Sequence, residues 1–188
     1  MRRVVAVVLG LIVAASTGCS ATLGSAPPPA APAPRIPPGV SQADVIFSQS
    51  LIPHEWLSIK VAEVVEKRGT NPYLKQLAAE MKIEKAAEIE QMSGWLRSWG
   101  LPVPNETSPI PHTMPGMITG ADRANLKVAE DQEFDQKALT MLAGHFGSAI
   151  QMAKDLLPGA THGETKALAQ KVVIEQQDDL AKVNNELS

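Results

Sequence analysis

The chain has 188 residues, of which 44% are hydrophobic and only 4% are aromatic. This composition suits one domain with an aliphatic, alanine-rich core, and the scarcity of strand-like segments predicts an all-α fold. The formal charge is −3 and the 17 basic residues are scattered, so the sequence offers no basic face for nucleic acid.

The N-terminal segment has the pattern of an export signal. Arg2 and Arg3 precede an apolar run that is too short to span a bilayer and ends in "STGC". Cys19 is the only cysteine of the chain, and small residues before a lone cysteine resemble a bacterial lipobox. We therefore predict a signal peptide over 1–18 and lipid attachment at Cys19. Because Ser16 replaces the usual aliphatic residue, ordinary signal cleavage that leaves a free thiol is the alternative.

Residues 19–40 are rich in proline and read as a tether between this lipid and a domain over 41–188. The tether predicts an exported protein that is anchored to the outer face of the bacterial cell membrane. Its partner there is the membrane itself, reached through the N-terminal lipid, and the sequence identifies no protein partner.

Four helices are predicted after the tether. Ser41 and Asp44 form a capping-box start for a helix over 41–68, and Asn71 with Pro72 opens a second helix over 72–99. The linker at 100–118 contains five prolines and cannot continue a helix. Capping-box pairs then open a third helix over 120–157 and a fourth over 162–187; they are Thr119 with Asp122 and Thr161 with Glu164.

The two predicted hairpins, 41–99 and 119–188, resemble each other at an offset of 91 positions. Ten gapless pairs are identical, among them His54/His145 and Glu84/Glu175. Such a repeat indicates a duplicated hairpin, hence a four-helix bundle with a pseudo-twofold axis. The linker is long enough to cross the full height of the bundle, so equivalent residues can meet only at mid-height, which is where both histidines fall.

The same geometry predicts a metal centre at mid-height. Glu84 and Glu88 come level with His54, and the second copy supplies its own acids. Two imidazoles with up to four carboxylates would suit zinc, iron, manganese or copper. The alternative is that the carboxylates line a solvated face, that Lys85 forms an ion pair with them, and that the histidines are hydrogen-bonded core residues. The predicted central ligands are His54, His145, Met141, Glu84, Glu88, Glu175 and Asp179.

A second candidate site lies in the linker, which carries His112, Met114 and Met117 within six residues. Met141 adds a third thioether one helical turn before His145. Thioether and imidazole ligands together favour Cu(I). The alternative is that these methionines plug the end of the bundle, the commoner use of methionine.

Four segments of the chain resemble the bacterial family called domain of unknown function 305. They are "FSQSLIPHEWLSIKVAEVVEKRGTNPYLKQLAAEMKIEKAAEIEQMSGWLRSWG", "MPGM", "GHFGSAIQMA" and "LAQKVVIEQQDDL", and the resemblance covers about residues 43–187. It implies a ferritin-like four-helix bundle, made of two duplicated hairpins joined by a proline-rich crossover linker. It also implies an exported or lipid-anchored protein, and some members of the family are associated with copper in the periplasm.

The chain departs from the family pattern at the centre. The family carries "MIPHH" near the start of each hairpin, and here only the first histidine of each pair is kept, as His54 and His145. The second is replaced by Glu55 in one copy and by Phe146 in the other. A glutamine of the family's return helix is Lys85 in the first copy.

Two hypotheses follow from these observations. In the first, the protein is a membrane-anchored, non-catalytic lipoprotein that binds or buffers copper or another transition metal outside the cytoplasm. In the second, it is a non-metal scaffold of the cell envelope whose ancestral metal site has degenerated. No catalytic residue is predicted, because the sequence has no nucleophile elbow, phosphate-binding loop or "HExxH" helix.

Overall fold

The computed structural model describes residues 35–109 and 115–188. Its helices are α1 (Gln42–Arg68), α2 (Pro72–Ser98), α3 (Gly120–Lys127), α4 (Asp131–Leu156) and α5 (Gly163–Glu186), with a 3₁₀ turn at Leu157–Gly159. These two ranges contain no β-strand, so the predicted all-α class is confirmed. No helix in them is long and apolar enough to cross a membrane. The signal peptide, Cys19, most of the tether, His112 and Met114 lie outside the described residues.

Three of the four predicted helix starts have the expected caps. The side chain of Ser41 caps α1 and that of Thr119 caps α3, each in a full capping box, and Asn71 caps α2. The predicted box of Thr161 with Glu164 is wrong. α5 is capped instead by His162, whose Nδ1 accepts from the backbone N–H of Thr165.

The third predicted helix, 120–157, is also wrong as a single element, because the chain leaves the helix between Lys127 and Asp131. Arg68 explains where the break falls. Its guanidinium donates to the backbone carbonyls of Leu126, Lys127 and Ala129 and to the carboxylate of Asp131. It therefore supplies side-chain donors to carbonyls at the end of α3, where the helical hydrogen bonds stop.

The two hairpins are clamped to each other by a symmetric pair of aspartates. Asp44, at the start of α1, accepts from the backbone N–H groups of Thr161 and His162 between α4 and α5. Asp135, at the start of α4, accepts from the backbone N–H groups of Thr70 and Asn71 between α1 and α2. Each first helix thus begins beside the loop of the opposite hairpin, so α1 and α4 run antiparallel, as the predicted crossover requires.

The core consists of two apolar clusters with a polar layer between them. One cluster gathers around Val65, Leu74 and Phe134, and the other around Phe47, Leu96 and Val172. Buried polar residues of α1, α2, α4 and α5 lie between the clusters, and they are His54, Glu55, Ser58, Lys85, Glu88, His145, Ser148 and Gln176. The fold therefore places the predicted central residues at mid-height of the bundle.

Candidate functional site: a polar layer and a methionine cavity

His54 and His145 meet at the centre of the bundle. Their ring centroids are 3.9 Å apart and the ring planes differ by 7°, so the two imidazoles are stacked. Both side chains are fully buried. The prediction that the matched histidines share one interior point is confirmed, because α1 and α4 cross with these two residues face to face.

The ring of His145 has one hydrogen-bond partner that the sequence analysis did not name. Ser58 Oγ lies 2.7 Å from His145 Nε2, and the same hydroxyl is 3.5 Å from the backbone carbonyl of His54. Burial, with a smaller contribution from the charge of Lys85, lowers the pKa of His145 to about 3. The ring is therefore neutral at pH 7. The sequence spacing could have indicated this partner, because Ser58 lies one helical turn after His54 and so on the same face of α1.

The stacked pair does not fit a single metal ion. The lone pair of an imidazole nitrogen lies in the plane of its ring, so two ligating rings must direct their planes at one point. Two nearly parallel rings stacked at 3.9 Å direct their lone pairs into separate planes. In this arrangement His54 and His145 do not form a two-imidazole ligand set.

Three of the predicted acids do come together. Glu84, Glu88 and Glu175 can bring carboxylate oxygens within 4.8 Å of one another, which would suit a metal ion. The predicted fourth acid, Asp179, is not part of this group, and burial raises its pKa, with the charge of Glu84 adding to the effect. We call Glu84, Glu88 and Glu175 the acid group.

Two lysine ammonium groups contact the acid group. Lys85 Nζ lies 3.3 Å from Glu84 and 3.2 Å from Glu88. Lys171 Nζ lies 3.0 Å from Glu84, 2.8 Å from Glu88 and 2.6 Å from Glu175. Burial opposes ionisation of Glu84, but the hydrogen bond with Glu175 and the two lysines outweigh it and lower the pKa of Glu84 to about 2. Lysine thus supplies the positive charge at these carboxylates.

Glu55 is the most unusual carboxyl group of the polar layer. It is fully buried, and neither side-chain oxygen has a hydrogen-bond partner among the described residues. Burial raises its pKa to about 8, against the opposing charge of Lys85. From the sequence, Glu55 stands out only as the substitute for a family histidine. Its position four residues after Leu51 and four before Ile59, both buried, places it on the core face of α1.

The described end of the linker, from residue 115 onward, meets the bundle at α4. Gly116 has a φ of +86°, and a Cβ atom there would lie 2.1 Å from the carbonyl oxygen of Gly144. A Cβ atom on Gly144 would in turn lie 3.2 Å from Gly116 Cα. The turn at 115–117 therefore rests directly on the backbone of α4, one residue before His145.

This contact places two of the predicted soft ligands around one cavity. Met117 from the linker and Met141 from α4 both line a cavity of about 550 Å³, which we call the methionine cavity. Ile118 and Leu126 add to its apolar wall, and Asp122, Asn125, Gln136, Lys137 and Thr140 supply polar groups. Met141 was predicted as a central ligand that also adds to the linker set, and the structure places it on the cavity that Met117 lines.

Comparisons with known proteins agree with this architecture. A DUF305 protein of Streptomyces coelicolor, described as a candidate secreted protein, is 25% identical, with a TM-score of 0.69 over 77% of this chain and 90% of that one. A DUF305 fragment from Deinococcus radiodurans is 23% identical, with a TM-score of 0.71 over 80% and 98%. CopM in its Cu(I)-bound form is 23% identical, with a TM-score of 0.62 over 76% and 93%. No curated protein matches the sequence.

The comparisons thus support the ferritin-like bundle fold that the sequence predicts. The sequence itself matches the domain described as "Domain of unknown function (DUF305)" over residues 44–187, which is most of its length. The chain therefore belongs to the DUF305 family.

Proposed function

We propose that this protein is an exported DUF305 bundle that binds Cu(I) at the methionine cavity. The observation that carries the proposal is the contact of Gly116 with Gly144, which brings Met117 and Met141 to one cavity. Thioether sulfur is a soft ligand that selects Cu(I) over hard divalent ions. CopM, which has the same fold, has been solved with Cu(I), Cu(II) and Ag bound.

In this proposal Met117 and Met141 hold the ion, and His112 and Met114 of the adjoining linker remain predicted ligands. The protein binds or buffers the ion and does not catalyse a reaction. The buried Ser58–His145 pair supports this view, because both residues are almost fully inaccessible and no substrate reaches a hydroxyl in that position.

The proposal is tested by a Cu(I) competition titration of the purified chain against a chromophoric chelator, without oxygen. We expect Met117→Leu with Met141→Leu to weaken Cu(I) binding at least about tenfold, because leucine keeps the apolar volume and removes both sulfur atoms. His54→Ala with His145→Ala, in a separate variant, leaves the affinity unchanged if the variant stays folded. The matched control is Met152→Leu, because Met152 is a buried methionine of α4, the helix that carries Met141, and does not line the cavity.

One observation favours a second candidate, a non-metal scaffold of the cell envelope. Lys85 and Lys171 neutralise the acid group without any metal ion. If the dissociation constant of the wild-type chain for Cu(I) is about micromolar or weaker, the scaffold explains the protein better than Cu(I) binding does. A sub-micromolar affinity that depends on His54 and His145 instead of the methionines contradicts the proposed location.

We further propose that Cys19 carries a lipid and that residues 19–40 hold the bundle away from the outer face of the membrane. The support is the sequence "STGC" after a short apolar run, followed by the proline-rich tether. In a bacterial host, the wild-type chain should incorporate radioactive palmitate and sediment with membranes. The Cys19→Ser variant should do neither, while Ser20→Ala, the neighbouring control, should behave as wild type. Unlabelled wild-type protein in the soluble fraction would favour the free-thiol alternative.

A further inference from the structure

We infer that the ammonium group of Lys85 acts as a built-in counter-ion at the bundle centre and closes a divalent-cation site at the acid group, two of whose carboxylates, Glu84 and Glu88, it contacts. The wild-type centre then needs no metal ion. This inference concerns the polar layer and is independent of Cu(I) binding at the methionine cavity.

The position of Lys85 carries the first step. Its side chain is only 2% exposed, and its Nζ lies 3.2 Å from the buried carboxylate of Glu88 and 3.3 Å from Glu84. An unpaired ammonium group in such a place would be strongly disfavoured, whereas one among carboxylates is stabilised. The surrounding carboxylates outweigh burial and raise the pKa of Lys85, so it stays charged.

Glu55 carries the second step, because its carboxyl group is buried in the same layer and makes no hydrogen bond to Lys85. It is fully buried and its two oxygens have no hydrogen-bond partner among the described residues. The charged groups that act on it are Lys85, Glu88, Glu84 and Lys171. A buried carboxyl group that makes no hydrogen bond needs a physical explanation, and the loss of a cation from this layer is the one we infer.

Two ammonium groups already lie among the carboxylates of the layer. Lys85 contacts Glu84 and Glu88, Lys171 contacts all three carboxylates of the acid group, and burial raises the pKa of Glu55, which favours its neutral form. His145 is neutral as well, and its ring is stacked on His54. A divalent ion entering this layer would have to displace an ammonium group that already contacts two carboxylates.

The pseudo-twofold repeat supplies the test variant. The position 91 residues after Lys85 is Gln176, which is 1% exposed in the same layer. Lys85→Gln therefore introduces a side chain that the bundle already buries at the equivalent place. It removes one positive charge and leaves Glu55, Glu84 and Glu88 unchanged.

The experiment measures Zn²⁺ binding by competition with a chromophoric chelator, in the Met117→Leu, Met141→Leu background so that the methionine cavity does not contribute. We expect no Zn²⁺ binding tighter than about micromolar before Lys85 is changed, and at least a tenfold gain in Lys85→Gln. Adding Glu88→Gln should remove the gain. Lys82→Gln is the matched control, since Lys82 lies on the same helix in an ion pair with Glu66 outside the layer.

Two results would overturn the inference. One is a folded Lys85→Gln variant, judged by circular dichroism, that gains no Zn²⁺ affinity. The other is Zn²⁺ binding by the unchanged centre that Glu88→Gln abolishes. If Lys85→Gln does not fold, thermal unfolding of the protein with Lys85 in place provides the test. We expect its melting temperature to be the same with added Zn²⁺ and with a chelator. A rise in melting temperature on adding Zn²⁺ that is lost in Glu88→Gln would contradict the inference. A failed Cu(I) titration would not affect any of these outcomes.

Discussion

Gly116 and Gly144 are in van der Waals contact through their backbones where the linker crosses α4. A positive φ at Gly116 turns the chain sharply there, and the absence of side chains on both residues lets the turn reach the helix surface. Met117 follows directly and lines the same cavity as Met141. Two residues without functional groups thus position the two methionines that we propose as ligands.

Gly116→Ala should therefore weaken Cu(I) binding without touching a ligand. The added Cβ would overlap the carbonyl oxygen of Gly144, and alanine at positive φ costs about 1–2 kcal/mol of folding free energy. We expect a lower melting temperature and a several-fold weaker Cu(I) affinity in the chelator competition. Gly120→Ala is the control, because a Cβ atom at Gly120 meets nothing within 4 Å. Equal Cu(I) affinities for wild type and Gly116→Ala would contradict the positioning role.

Sequence reasoning reached some of these residues and missed others for identifiable reasons. The repeat located His54 and His145, because a matched pair at mid-height must lie near the twofold axis. It did not locate Lys171, because the equivalent position of the first hairpin, 91 residues earlier, is Glu80, so the two repeats differ there. The Gly116–Gly144 contact joins residues whose approach depends on the path of the linker, and no local pattern encodes that path.

At the scale of elements, the loop between the two helices of each hairpin is held by an aspartate of the other hairpin. Asp135 accepts hydrogen bonds from Thr70 N at 3.1 Å, Thr70 Oγ1 at 2.5 Å and Asn71 N at 2.8 Å. Asp44 has the equivalent role for Thr161 and His162. Because Asp44 and Asp135 are themselves 91 positions apart, the duplication preserved the contact between hairpins as well as the hairpins.

Asp135→Asn should destabilise the bundle by about 1 kcal/mol at neutral pH, the scale of a charge-assisted hydrogen bond at a half-exposed site. Although burial opposes it, the hydrogen bonds from Thr70 and Asn71 lower the pKa of Asp135 below its ordinary value of 3.8. A lowered folded-state pKa gives stability that is present above 3.8 and is lost as the pH falls through the folded-state pKa.

The measurement is thermal unfolding of wild type and Asp135→Asn as a function of pH. The difference in melting temperature should be constant above about pH 4 and should shrink at lower pH. Asp178→Asn is the control, because Asp178 makes one exposed ion pair with Lys182. A difference that grows as the pH falls below 4 would show that the carboxylate of Asp135 does not stabilise the folded state.

Helix prediction succeeded where the signal was local and failed where it was not. At the starts of α1, α2 and α3, the capping side chain and the backbone N–H that it accepts from are three residues apart in the sequence. The break between α3 and α4 depends on Arg68, some 60 positions away in the chain, whose guanidinium binds the carbonyls at the end of α3. Thr161 was a reasonable cap by sequence, but it donates to Asp44 of the other hairpin and leaves the capping role to His162.

At the scale of the whole molecule, the bundle separates a closed centre from an open edge. The centre holds two stacked histidines, and an acid group that Lys85 and Lys171 contact, between two apolar clusters. The edge holds the methionine cavity, with α3 and the linker as one wall and α4 as the other. The family resemblance predicted the bundle, and the substitutions at Glu55 and Lys85 already indicated that the centre differs from the family pattern.

The proposed Cu(I) site uses sulfur at the methionine cavity and no nitrogen of the histidine pair. X-ray absorption spectroscopy of the Cu(I)-loaded chain tests it most directly, because sulfur and nitrogen neighbours of copper give distinct scattering. We predict a first shell with sulfur ligands that is lost in Met117→Leu with Met141→Leu and retained when both His54 and His145 are replaced by alanine. A shell of nitrogen ligands alone, unchanged by the methionine substitutions and lost with the two histidines, would contradict the account.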